Sequence, residues 1–180
     1  MHPRAHDSID RHLDAVWRLA RVLADDAAEA EDLVQETYVR AMQALDDPAT
    51  AVRHPAAERT WLLRITTNLH RDDLRRRRTR RRHAPHLAAA ETDPRPGPSR
   101  LVGASELEQQ AADAMAALPA RQREVLHLAA VEQLDHASIG EVLGLSPTNV
   151  RTALQRARDG IRVALAPTAS PPARTTGAAP

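Results

Sequence analysis

Thr148, Arg151, Thr152, Gln155 and Arg156 bring hydroxyl, amide and guanidinium groups onto or beside one face of a helix. These groups suit the base edges of a DNA major groove, and a guanidinium fork alone matches O6 and N7 of guanine together. The opposite side of that helix repeats Val150, Leu154, Ala157 and Ile161, a stripe that asks to be buried. Ser146 is placed to cap its start, with Pro147 at the first helical position, where a missing N–H costs nothing. Just upstream, Asp135 can cap a shorter helix striped with Ile139, Val142 and Leu143, and Gly144 supplies the left-handed residue that ends it. A helix, a tight turn and a second helix with a polar face is the arrangement that enters the major groove. An ordinary helical hairpin with a solvated face has the same pattern, so other residues must decide.

Residues 59–82 supply a second signal. Trp61, Leu62, Ile65 and Leu69 fall along one side of a helix, so its start packs on a core. Its end carries Arg75, Arg76, Arg77, Arg78, Arg80, Arg81 and Arg82, seven guanidiniums within eight residues, with Asp72 and Asp73 as the nearby offset. Such a run repels itself unless solvent or a polyanion neutralises it. Because it continues a helix that also carries Trp61, Arg64, Asn68 and Arg71, it reads as a phosphate track beside a base-contacting surface. Trp61 shares the apolar stripe, so its first role is packing.

The formal net charge of +1 hides strong segregation. Residues 1–58 hold six Arg against twelve acids, whereas residues 59–82 hold ten Arg against two. All 25 basic residues are Arg and Phe is absent, a bias that GC-rich coding produces, so the clustering of Arg carries more meaning than its abundance. The absence of cysteine excludes disulfides, zinc–thiolate sites and a cysteine nucleophile. The nine His follow no compact ligand spacing, and neither a Gly-rich phosphate loop nor a GxSxG turn occurs, so no cofactor, metal or catalytic site is expected and the chain reads as a non-enzyme. With no apolar run of membrane-spanning length and no signal-peptide core, membrane insertion is not expected and a cytoplasmic location is.

The elements that would position these residues form an all-α fold of two small helical domains. Residues 8–24 predict a helix with Ile9, Leu13, Val16, Trp17 and Ala20 inward. Residues 27–45 predict a second, striped with Ala30, Leu33, Val34, Tyr38, Ala41, Met42 and Leu45, and residues 46–58, with two prolines, a loop before the Trp61 helix. These three helices make a first domain over residues 1–82. Residues 83–104 concentrate Pro, Gly and charge and predict a flexible linker, so the halves should be tethered rather than fused. A capping box at Ser105 and Glu108 opens a helix to about residue 117, Pro119 opens the next to about residue 131, and with the helix-turn-helix pair they make a four-helix domain over residues 105–165. Residues 166–180 predict a disordered tail.

The order AEDLVQETYVRAM, TWLLRITTNLHRDDLRRRR, ALPARQREVLHLAAVEQLDHASIGEVLGLSPTNVRTALQRAR resembles bacterial RNA polymerase sigma factors of the extracytoplasmic-function subfamily. The resemblance covers roughly residues 8–82 and 105–165 and implies regions 2 and 4 of such factors, with core RNA polymerase and promoter DNA as partners and an anti-sigma factor as a further candidate. It implies that Asp32, Leu33, Gln35 and Glu36 dock on the polymerase clamp. It implies that Trp61, Arg64, Asn68, Arg71, Arg75, Arg76, Arg77 and Arg78 meet the −10 element, and that Thr148, Arg151, Thr152, Gln155 and Arg156 meet the −35 element. The chain departs from relatives in the 46–58 loop, which lacks an aromatic; at Ala153, where a basic residue is common; and at Gly140, where Ala is common. From the residues alone, two other readings stay open: a free-standing helix-turn-helix regulator that binds without polymerase, and a basic architectural or RNA-binding protein.

Overall fold

The structure, a computed structural model, describes residues 9–45, 55–83 and 105–166. These form seven helices and no strands: α1 (Leu13–Leu23), α2 (Ala27–Leu45), α3 (Pro55–His83), α4 (Glu106–Ala117), α5 (Ala120–Ala130), α6 (His136–Leu143) and α7 (Pro147–Ala164). The expected all-α architecture, three helices and then four with a helix-turn-helix, is the one observed. Residues 46–54 of the expected loop, 84–104 of the expected linker and 167–180 of the expected tail lie outside the described residues.

The second half starts and stops where its local chemistry dictates. Ser105 Oγ accepts from the Glu108 amide at 3.3 Å while the Glu108 carboxylate accepts from the Ser105 amide at 2.7 Å, so both members of the capping box are made. Asp135 accepts from the Ser138 amide at 2.7 Å, Gly144 closes α6 at φ 60°, and Ser146 accepts from the Asn149 amide at 3.3 Å. In the first half, α3 begins at Pro55, inside the stretch expected to be loop. Proline is well placed there, because the first turn of a helix has no use for its amide.

Helix α1 is rotated from the expected stripe. Leu13 and Trp17 are 40% and 37% exposed, whereas Ala15, Leu19 and Leu23 are buried. The cause is that α1 is buried from two sides. Ile9 and Val16 join Ala41 and Leu62 in one apolar cluster, while Ala15, Leu19, Ala20 and Leu23 join another. That second cluster holds Leu63 of α3 together with Val125, Leu128, Ile139, Val142, Leu143, Val150 and Leu154 of the second half. The halves were expected to be tethered without a shared core; in the described residues α1 packs on α5, α3 packs on α6, and one apolar cluster runs through both.

Polar groups inside the first half are satisfied locally. Thr37, Thr66 and Thr67 are buried, and their hydroxyls donate to the carbonyls of Leu33, Leu62 and Leu63 at 2.7, 2.9 and 2.9 Å. A buried hydroxyl without such a partner would cost about 1–3 kcal/mol.

Candidate nucleic-acid interface

Helix α7 presents all five of its predicted base-reading residues to solvent. Thr148, Arg151, Thr152, Gln155 and Arg156 are exposed, while Val150, Leu154 and Ala157 are buried beneath them. Arg151 and Arg156 form no salt bridge among the described residues, so their guanidinium forks are available to an acceptor. Gln155 is partly committed: its amide donates to both Asp159 oxygens, at 3.2 and 3.1 Å, and Arg162 donates to the same carboxylate at 2.7 Å. The Gln155 carbonyl is thereby turned into the acceptor end of an ordered side chain. Ala153 is half-buried against the apolar cluster, so the missing basic group belongs to the inward side of α7.

Gly140 has a steric reason. The Leu145 amide donates to the Gly140 carbonyl at 2.9 Å, which folds the turn back onto α6, and a Cβ at position 140 would lie 2.7 Å from the Leu145 carbonyl oxygen. The angle between α6 and α7 is therefore set by two backbones in contact.

Helix α3 divides its predicted residues into three groups. Arg64 and Asn68 are exposed, and Trp61 is half-buried. Arg71 is half-buried, 3.8 Å from Glu124 of α5, and burial followed by repulsion from Arg121 lowers its pKa. In the basic run, Arg75 pairs with Asp72 at 3.1 Å, and Arg77 pairs with Glu29 at 2.7 Å and with Asp73. Burial works against the charge of Arg77, but Glu29 and Asp73 outweigh it and its pKa is raised. Arg76, Arg78, Arg80, Arg81 and Arg82 are exposed and form no salt bridge among the described residues. The run expected to act as one track is thus two sets, because Arg75 and Arg77 are met by Asp72 and Asp73 of α3 and by Glu29 of α2 while the rest point outward.

On α2, Asp32, Gln35 and Glu36 are exposed, with Glu36 3.9 Å from Arg40 one turn on. Leu33 is 8% exposed and belongs to the core. Its place as a surface contact is corrected: it lies on the inward stripe of α2 and holds the acidic face from beneath.

One cluster was not anticipated. After α5 the chain turns through Gln133 at φ 52°, and Glu132 is driven inward with its side chain fully buried. Arg18 of α1 grips it with both Nε, at 2.8 Å, and Nη2, at 3.1 Å, and Arg59 of α3 donates to the same carboxylate. Burial alone would raise the pKa of Glu132, but these hydrogen bonds hold it below its ordinary value. His127, buried 3.5 Å away, is pushed below its ordinary value by burial. The sequence clue is an acid in the mostly apolar run VLHLAAVEQL, whose partners lie 73 and 114 residues away. Among the described residues, no group of three His, Asp or Glu could hold a metal ion, and no helix is long and apolar enough to cross a membrane.

Family models for sigma-70 region 2 and sigma-70 region 4 match residues 9–80 and 108–159. The ECF RNA polymerase sigma factor SigL of Mycobacterium tuberculosis is 33% identical over 156 residues, which cover 87% of this chain and 85% of SigL. The chain belongs to the extracytoplasmic-function sigma factor family. SigE of Mycolicibacterium smegmatis, also an ECF sigma factor, is 33% identical over 165 residues, covering 91% of this chain but only 62% of the longer SigE. The sigma factor RpoE of Bartonella quintana, solved in complex with the anti-sigma factor NepR, shares the fold with a TM-score of 0.68 at 22% identity, covering 89% of this chain and 95% of that one. In this sigma factor the region 2 match ends within the basic run of α3, and the region 4 match contains all of α6 and α7 as far as residue 159.

Proposed function

We propose that this sigma factor docks on core RNA polymerase and directs it to promoters by reading two short elements, one with each half. The observation that carries the reading is the exposure of Thr148, Arg151, Thr152, Gln155 and Arg156 together on a capped helix α7. Arg156 would make the bidentate guanine contact of the −35 element, with the Gln155 carbonyl accepting from a neighbouring base. Arg64 and Asn68 would face the opened −10 strand, with Trp61 behind them and Arg76 and Arg78 on phosphates. The exposed acids Asp32 and Glu36, with Gln35, would meet a basic surface of the polymerase.

Residues 1–82 and 105–165 act as the two reading domains, and residues 83–104 set how far apart they can work. Each half binds DNA weakly; riding on one polymerase raises the effective concentration of the second contact and fixes the spacing of the two elements. Strand opening draws on preferential binding of unpaired DNA, with no bond chemistry by this chain. An anti-sigma factor is the partner class we extend to it from its relatives.

The test is transcription from a panel of promoters by core polymerase with and without the chain. Promoter-selective initiation is expected, and Asp32→Arg with Glu36→Arg should weaken core binding while helicity is kept. Binding of duplex DNA with full specificity in the absence of polymerase would overturn the reading in favour of a free-standing regulator.

A further inference from the structure

An acid stands on the face of α7 whose other side chains suit DNA. Thr148, Thr152, Gln155, Asp159 and Arg162 follow one another at steps of four and three residues, so Asp159 shares the stripe that the base-reading residues occupy. A carboxylate on a face that meets a polyanion lowers affinity by repulsion, so its place there calls for a compensating gain. Its contacts supply one. Arg162 Nη1 donates to Asp159 Oδ1 at 2.7 Å and steadies the carboxylate, whose two oxygens accept from Gln155 Nε2 at 3.2 and 3.1 Å. An ionised carboxylate can only accept, so Gln155 has to turn its NH2 end to Asp159 and its carbonyl oxygen away. Thr152 is constrained in the same sense. Its hydroxyl donates to the Thr148 carbonyl at 3.0 Å, which leaves the oxygen lone pairs to accept from outside the helix. Between the all-donor forks of Arg151 and Arg156, the helix therefore shows two acceptors.

We propose that Asp159, steadied by Arg162, is a positioning residue for promoter specificity: it turns the Gln155 carbonyl toward the base edges, so that the base read by Gln155 is selected for an amino group, N6 of adenine or N4 of cytosine. The inference rests on the −35 role proposed above for α7. Asp159 touches no base itself and acts through Gln155. A Gln with both ends available pairs with adenine through N6 and N7 together, or swings its NH2 end to O6 of guanine or O4 of thymine. Gln155 is denied both, because its nitrogen is engaged with Asp159. A lone acceptor is repelled by the oxygens of guanine and thymine, so the readout separates amino-bearing from oxo-bearing bases and takes adenine and cytosine alike. In water an amide–carboxylate pair one turn apart favours its paired rotamer only about twofold. In the groove, where water is excluded and an unpaired carboxylate or amide is costly, the preference grows.

The test is promoter binding by core polymerase carrying the full chain, measured with all four bases at every position of the −35 element. Gln155→Ala locates the position in question as the one where it levels the preference. There the parent should favour adenine and cytosine over guanine and thymine by about two- to tenfold, the worth of one hydrogen bond. Asp159→Ala removes a negative charge from the DNA-facing side and should raise affinity for every sequence. It should also erase most of the discrimination at that one position, because the released amide can donate. Asp159→Glu, which keeps an acceptor-only group one turn on, should retain the discrimination. In a chain that already carries Gln155→Ala, Asp159→Ala should shift all four bases alike. A merely structural pair of Asp159 and Arg162 gives equal shifts on all four bases in both backgrounds, and that result overturns the proposal, as does a parent preference for guanine or thymine at the Gln155 position. If Gln155→Ala alters no position while Arg156→Ala does, the proposal falls and the −35 role of α7 stands. If neither alters any position, the −35 role itself is refuted and the proposal with it.

Discussion

Replacing Gly140 by Ala sets two effects of known sign against each other. Gly140 lies inside α6, where Ala would stabilise the helix by about 0.8–1 kcal/mol. Against this, the new Cβ would stand 2.7 Å from the Leu145 carbonyl oxygen, a backbone atom that cannot rotate away. To relieve it, the turn between α6 and α7 must open, stretching the 2.9 Å hydrogen bond from the Leu145 amide and displacing Ile139, Val142 and Val150 from a fully packed cluster. Overpacking of this kind costs about 1–3 kcal/mol, so the net expectation is destabilisation of up to about 2 kcal/mol. Gly160 supplies the internal control. A Cβ there also meets an atom at 2.7 Å, but that atom is Cδ2 of Leu118, the end of a side chain with other rotamers, so Gly160→Ala should lie near zero or stabilise slightly. Denaturant melts of both variants with equal m-values measure the difference. If Gly140→Ala melts with or above the parent, the contact between turn and helix is not what fixes Gly at this position.

Arg156→Ala should lose about 1–3 kcal/mol on the preferred −35 sequence and relax discrimination at one base pair, with Lys restoring binding only in part; equal losses across all single-base promoter variants would reduce Arg156 to a phosphate contact. Arg76→Gln with Arg78→Gln should weaken all promoters alike and flatten the salt dependence, whereas Arg75→Gln with Arg77→Gln should chiefly lower stability, because those two side chains are paired with acids; titrations at several salt concentrations separate the pairs. Lowering the pH should destabilise the fold in two stages. His127 and His70 have pKa values depressed by burial below 6.5, so the unfolded chain takes up their protons first and stability falls as pH drops below about 6.5. Glu132, Glu108 and Asp135 are also depressed, so the stability they lend is present above their ordinary values of 4.5, 4.5 and 3.8 and is lost in acid. Melts from about pH 8 down to about pH 2 check this, and His127→Gln should remove part of the first stage.

How much of this was legible depends on the distance over which each signal acts. The capping box at Ser105, the caps at Asp135 and Ser146 and the left-handed Gly144 all lie within four residues of the groups they satisfy, so the second half could be read almost to the residue. The α2 stripe was equally plain because that helix is buried on one side. Helix α1 was misread because two packing partners share it, and a stripe assigned to one face puts Leu13 and Trp17 inward when Ala15 and Leu19 are the residues that fit. Pro55 read as loop although the first turn of a helix accepts it. Leu33 was carried to the docking surface by resemblance, while its place in the α2 stripe already pointed inward. Nothing local marks Glu132, whose role exists only once Arg18 and Arg59 arrive from another part of the chain.

The same cluster gives a physical meaning to the near-zero net charge. A chain with ten arginines in residues 59–82 and an unopposed basic face would bind any nucleic acid, which is of little use to a factor that must be selective. Here part of that charge is met from inside the molecule: Arg75 by Asp72, Arg77 by Asp73 and Glu29, Arg71 by Glu124, and Arg59 by Glu132. Two of these contacts, Arg75 with Asp72 and Arg77 with Asp73, lie within α3 itself. The pairs made by Glu124 and Glu132 come from the second half, so Arg59 and Arg71 are offset where the halves meet. Arg76, Arg78, Arg80, Arg81 and Arg82 stay exposed, so the far end of α3 keeps its basic character while the charge nearer its start is offset by acids of the second half.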